Sequence, residues 1–260
     1  MPSGSKYVSM GSSYAAGPGI GISADTPANR CQRSNDNYAH QLARRRQLQL
    51  VDVSCGGATT ANILGPWNEL PAQVDAVDAD TRLVTITIGG NDIGFVGSFM
   101  PVPATCGSIA NAASTAGNCP PPRSVPNEEA YAALETRMAG IATEIHRRAP
   151  SALVVFVDYP RVLPDGALCP ALPLSEAQTR ESRELARRLS DLTKRAAQRS
   201  GSMLIEASKI SRNHDACAKD PWMNGVINTV KNRSSGQFVP VHPTIKNMTA
   251  IAEALDRVLK

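Results

Sequence analysis

Apolar residues gather in five short runs: Tyr7 to Met10, Leu50 to Val53, Leu83 to Ile88, Leu153 to Val157 and Met203 to Ile205. Runs of this length, rich in branched residues, predict buried β-strands. Between them the period changes to that of a helix. Leu134, Met138, Ile141 and Ile145 fall at i, i+4, i+7 and i+11, and Leu185, Leu189 and Leu192 mark a second stripe. Both predict amphipathic helices with polar outer faces. Ser175 followed by Gln178 is a capping-box start for the second helix, and Asn127 before Glu128-Glu129 caps the first. A last helix is predicted to open at Pro243 and to turn Met248, Ile251, Leu255 and Val258 inward. Strands alternating with helices give an α/β chain: a three-layer α/β/α sandwich with a mostly parallel central sheet, whose ligands bind beyond the carboxyl ends of strands.

Two stretches break this rhythm. Pro101 to Pro126 and Pro160 to Pro173 are proline-rich, and both contain cysteine. Long loops of this kind over a strand-end site shape access to it. No internal repeat or low-complexity linker divides the chain, and 260 residues suit one domain spanning 1–260.

Composition narrows the functional classes. The net charge of +4 is mild, and Arg44-Arg45-Arg46 reads as a solvated helix face. With aromatic residues at 4%, the stacking platforms of a nucleic-acid binder are scarce. The longest strong apolar run, Leu153 to Val157, falls far short of the roughly 18 residues that cross a bilayer. Six cysteines, Cys31, Cys55, Cys106, Cys119, Cys169 and Cys217, form an even set without a CxxC pair, which favours disulfides over zinc and leaves their connectivity open. Disulfides imply an oxidising compartment. Met1 to Lys6 carries no apolar segment of signal-peptide type, so an export signal is expected outside this sequence.

Candidate chemistry sits where predicted strands end. Gly11-Ser12-Ser13-Tyr14 follows the first strand and offers a serine among small neighbours. Ala15 stands where a G-x-S-x-G elbow would have its second glycine, so the commonest serine-hydrolase motif is absent. Ser54-Cys55-Gly56-Gly57-Ala58-Thr59-Thr60 follows the second strand. Gly89-Gly90-Asn91-Asp92 follows the third, where paired glycines turn the backbone and free the Asn91 amide to donate across the strand ends. His242, just before Pro243, is the strongest base candidate of four histidines. His40 and His146 read as surface residues. His214, beside Asp215 and Cys217, reads as part of a structural loop rather than a metal site.

These four segments, spread over nearly the whole chain, resemble the SGNH or GDSL-type hydrolases. The resemblance implies Ser13 as nucleophile and His242 as base. It implies an oxyanion hole of the Ser13 amide, Gly57 and Asn91, with no metal or organic cofactor. Two departures stand out. Ser12 replaces the family's aspartate, and Val239 stands three residues before the histidine where an aspartate is usual. Some relatives of this type dispense with that acid, so the expectation is a dyad with the His242 imidazole N–H on a main-chain carbonyl, most simply that of Val239. Asp215 and Asp220 are the first suspects for a supporting carboxylate.

Six cysteines and Pro221-Trp222-Met223-Asn224 after Cys217 resemble the secreted bacterial esterases, lipases and phospholipases of the family. That likeness implies the pairs Cys31–Cys55, Cys106–Cys119 and Cys169–Cys217, a secreted or periplasmic monomer, and a small-molecule or lipid ester substrate with transient lipid-surface contact. Phospholipase A and carbohydrate O-acetyl esterase are the enzyme alternatives. A catalytically silent lipid- or glycan-binding relative is the alternative of a different class.

Overall fold

A computed structural model describes residues 1–100, 126–228 and 237–259. In chain order the elements are β1 (Lys6–Gly11), α1 (Ser13–Ala16), α2 (Tyr38–Arg46), β2 (Gln49–Asp52), α3 (Thr60–Leu64), β3 (Thr81–Thr87) and α4 (Phe95–Ser98). They continue with α5 (Glu128–Arg148), β4 (Leu153–Val157), α6 (Glu176–Arg199), β5 (Met203–Ile205), α7 (Ala207–Ile210) and α8 (Ile245–Val258). The five strands form one parallel sheet in the order β2-β1-β3-β4-β5.

Alternation along the strands separates two apolar layers. Val8, Met10, Val84, Ile86, Val154 and Phe156 face the helices α5 and α6, whose Leu134, Met138, Ile141, Leu185, Leu189 and Leu192 pack on them. Tyr7, Leu83, Val155 and Val157 face α2 and α8 on the other side. The chain therefore has the expected α/β/α layering. Burial of Met248, Ile251 and Leu255 anchors α8, each contributing roughly 1.5–3 kcal/mol.

The predicted caps of the long helices form. The Asn127 side chain accepts from the Ala130 N–H, and Ser175 and Gln178 make a reciprocal capping box. The last helix differs at both ends. It begins at Ile245, because Pro243 is taken up in a bridge to Met223, and Val258 is 40% exposed while Leu259 is buried.

Among the described residues two disulfides are present, Cys31–Cys55 and Cys169–Cys217, as expected. Cys106–Cys119 and most of the first proline-rich loop lie outside the described residues. Among the described residues, no helix is long and apolar enough to cross a membrane.

Strand order places the site. From β1 the chain moves to β2 on one side, then crosses back to β3 on the other, so the loops after β1 and β3 diverge at a crevice. Ser13 and Asn91 lie on the segments that leave those two strand ends.

Candidate active site

The β1 end is built to approach β3 closely. Gly11 has φ +136°, and a Cβ there would lie 2.3 Å from the Thr87 carbonyl oxygen, so this contact requires glycine. The Ser12 N–H then donates to that carbonyl at 2.9 Å. Gln73 clamps Gly11 from both sides: its Oε1 accepts from the Gly11 N–H at 2.7 Å, and its Nε2 donates to the Gly11 carbonyl at 3.0 Å. Leaving this fixed point, the chain turns at once into α1 and sets Ser13 at the first position, 8% exposed.

His242 reaches the same place from the far end of the chain. Its Nε2 lies 2.8 Å from Ser13 Oγ, and its Nδ1 lies 2.7 Å from the Pro240 carbonyl oxygen. A carbonyl can only accept, so Nδ1 carries the proton and Nε2 presents its lone pair to the serine hydroxyl. The carbonyl is that of Pro240, not the expected Val239. Val241 between them adopts φ +53°, and this left-handed turn brings the carbonyl two residues back against the ring. The Val239 carbonyl is occupied instead by Asn224 Nδ2 at 2.8 Å and by the His242 N–H at 3.4 Å.

Neither suspected carboxylate supports the imidazole. Asp215 accepts from the Cys217 N–H, and Asp220 pairs with Lys246 and accepts from the Trp222 indole. Burial pushes the His242 pKa below its ordinary 6.5, with the Pro240 carbonyl opposing that shift. The resting ring is therefore neutral near pH 7.

The second and third segments are laced onto the first. The Cys55 N–H donates to the Gly11 carbonyl at 3.0 Å, and the disulfide to Cys31 holds this turn. Gly57 sits at φ +86° beside Trp67, and Asn91 Nδ2 donates to the carbonyl of the next residue, Ala58, at 2.9 Å. Asp92 repeats the link one residue on, accepting from the Thr60 N–H at 3.0 Å and from Thr60 Oγ1 at 2.5 Å. The glycine and asparagine segments thus form one unit.

Tyr159, two residues beyond β4, ties that unit to the serine turn. Its hydroxyl accepts from the Gly90 N–H at 2.9 Å and lies 3.1 Å from Ser12 Oγ. Gly90 has no room for a side chain, since a Cβ would meet the Tyr159 ring at 2.8 Å. Ser12, where the family has aspartate, therefore points at a phenol.

Sequence patterns assigned no role to Tyr159, Gln73, Pro240 or Asp92, the last of which was quoted only as part of the third segment. Tyr159 and Asp92 carried a signal, since both follow a predicted strand. Gln73 and Pro240 carried none, because their roles depend on turns that bring distant segments together. Among the other histidines, His214 stacks on Trp222 at 3.6 Å and faces the Asp220 carbonyl, while Cys217 is in a disulfide, as a structural loop requires. His40 is less exposed than expected, with Nε2 3.5 Å from the buried Asp52.

Comparison with known proteins gives the family. The family model described as GDSL-like Lipase/Acylhydrolase matches residues 9–246. Lipase 2 of Streptomyces coelicolor is 32% identical over 260 residues, covering 95% of this chain and 83% of the relative. The crystal structure of phospholipase A1 from Streptomyces albidoflavus superposes with a TM-score of 0.75 at 26% identity, covering 98% of this chain and 99% of that one. That of the extracellular lipase from Streptomyces rimosus gives 0.73 at 25% identity, covering 97% and 99%. The chain belongs to the GDSL-like Lipase/Acylhydrolase family and is an ester-hydrolysing enzyme.

Proposed function

We propose that the protein cleaves carboxylic esters with a Ser13–His242 dyad that uses the Pro240 carbonyl in place of an acid. His242 Nε2 takes the Ser13 Oγ proton as Oγ attacks the ester carbonyl carbon. The oxyanion is received by the Ser13 and Gly57 N–H groups and by the second N–H of Asn91, the first being committed to Ala58. As the tetrahedral intermediate collapses, Nε2–H gives its proton to the departing alkoxide. Water then repeats the sequence on the acyl-enzyme, losing its proton to Nε2, and the carboxylic acid leaves as Ser13 recovers its hydrogen. Pro240 fixes the tautomer but supplies no counter-charge, so the imidazolium formed in each step rests on that single hydrogen bond.

One observation carries this reading: both imidazole nitrogens are accounted for, one by the serine and one by a carbonyl. The substrate class follows the relatives, whose names are lipase and phospholipase A1. A lipid or small-molecule ester is the proposed substrate, with a carbohydrate O-acetyl ester as its competitor. Two disulfides are consistent with secretion. A monomer that meets lipid surfaces transiently completes the proposal.

Hydrolysis of a short-chain aryl ester tests it. Ser13→Ala should lower kcat by about 10⁴-fold or more, while Ser12→Ala retains most activity. Equal losses in the two variants would reassign the nucleophile.

A further inference from the structure

We propose that Tyr14 is the positioning residue that holds His242 in register with Ser13, doing for orientation what a carboxylate does in a charged triad. This rests on the dyad reading above. Tyr14 follows the serine directly, is 1% exposed, and donates its hydroxyl hydrogen to the Val241 carbonyl at 2.5 Å. Its ring also lies against the imidazole, with centroids 5.1 Å apart and planes tilted by 38°.

Val241 makes this bond consequential. A β-branched residue at φ +53° is in a region that costs energy and persists only where its surroundings impose it. This conformation is what sets the Pro240 carbonyl against Nδ1. Its neighbours are pinned by Asn224, whose Nδ2 donates to the Val239 carbonyl and whose N–H donates to the His242 carbonyl at 2.9 Å. Val241 itself is held by its N–H on the Gly225 carbonyl at 3.1 Å and by Tyr14. Of these groups, Tyr14 alone comes from the element that carries the nucleophile. It therefore couples the position of the base to that of the serine.

Burial holds the Tyr14 phenol well above its usual pKa, so it stays a donor throughout the working range. Among the described residues, the groups that meet the His242 ring are the Pro240 carbonyl, the Ser13 hydroxyl and this neutral ring. Tyr14 supplies geometry without charge.

Tyr14→Phe keeps the ring and removes the bond. The expected result is a fall in kcat of about tenfold or more with KM within about twofold. The acid limb of the rate profile should move to lower pH, because the Pro240 bond that raises the His242 pKa is loosened. Nitrogen NMR of His242 should change from the single Nδ1–H tautomer of the parent to a mixture. Tyr159→Phe, which removes another buried phenol bond, is the comparison, and should lower kcat with the tautomer unchanged. An unaltered tautomer and acid limb in Tyr14→Phe would overturn the proposal. Full activity in Ser13→Ala would overturn the dyad reading instead.

Discussion

His242 Nδ1 lies 2.7 Å from the carbonyl oxygen of Pro240, two residues earlier in the chain. The base is thus oriented by its own loop, and a carbonyl carries only a partial charge. With burial lowering the pKa of the ring below 6.5, the acid limb of kcat/KM should fall below pH 6.5. Stability follows the same proton. The folded state holds it less tightly than the unfolded chain, so this contribution is present above pH 6.5 and is lost as pH falls through the lowered folded value. A pH–rate profile checks the first statement, and His242→Gln should flatten the corresponding part of a stability profile.

Asn91 is expected to act on the transition state. Asn91→Ala should lower kcat by about 10²–10³ with little change in KM, the loss typical of one oxyanion donor. The variant also removes the bond to Ala58, so thermal unfolding must be measured beside the kinetics. A raised KM at unchanged kcat would place Asn91 in substrate binding only.

Asp158 gives stability the opposite dependence on pH. Burial pushes its carboxyl up to about 6, despite bonds from Ser190, Ser208 Oγ and the Ser208 N–H. The folded state therefore holds this proton more tightly than the unfolded chain. The contribution is fully present below 3.8, the unreacted carboxylate's ordinary value, and is lost as pH rises through about 6. Urea unfolding of Asp158→Asn across that window should show a shallower decline than the parent.

The Cys31–Cys55 bridge closes a loop of sequence separation 24 and holds the turn that presents Gly57. Replacing both cysteines by serine should cost about 3 kcal/mol of unfolding free energy, chiefly by freeing the unfolded chain. Chemical denaturation measures it, and kcat should fall as well if the turn loosens.

Much of this architecture was legible because its signals are local. The five strands appear as apolar runs at nearly their observed positions, and the Ser175–Gln178 box marks the start of α6 by sequence alone. Ser13 and His242, singled out by motif and resemblance, lie within hydrogen-bond distance of each other, and the two disulfides among the described residues join the expected cysteines. The carbonyl partner was missed by one residue, since only the left-handed Val241 decides whether Val239 or Pro240 faces the ring, and a valine gives no warning of positive φ. Pro243 misled in a similar way. It is a favoured helix opener, but its bridge to Met223 keeps it outside α8. Gln73 was hidden because it bonds a backbone group more than 60 positions away, whereas Tyr159 follows a predicted strand but gives no local sign of its bond to Gly90.

The central claim is that Ser13 is the hydroxyl activated by His242. Its most direct test is labelling with a fluorophosphonate, followed by mass spectrometry of the modified peptide. A single adduct on Ser13, formed with loss of ester hydrolysis and absent from His242→Gln, is the predicted result. An adduct on Ser12, or full ester hydrolysis after stoichiometric labelling of Ser13, would contradict it.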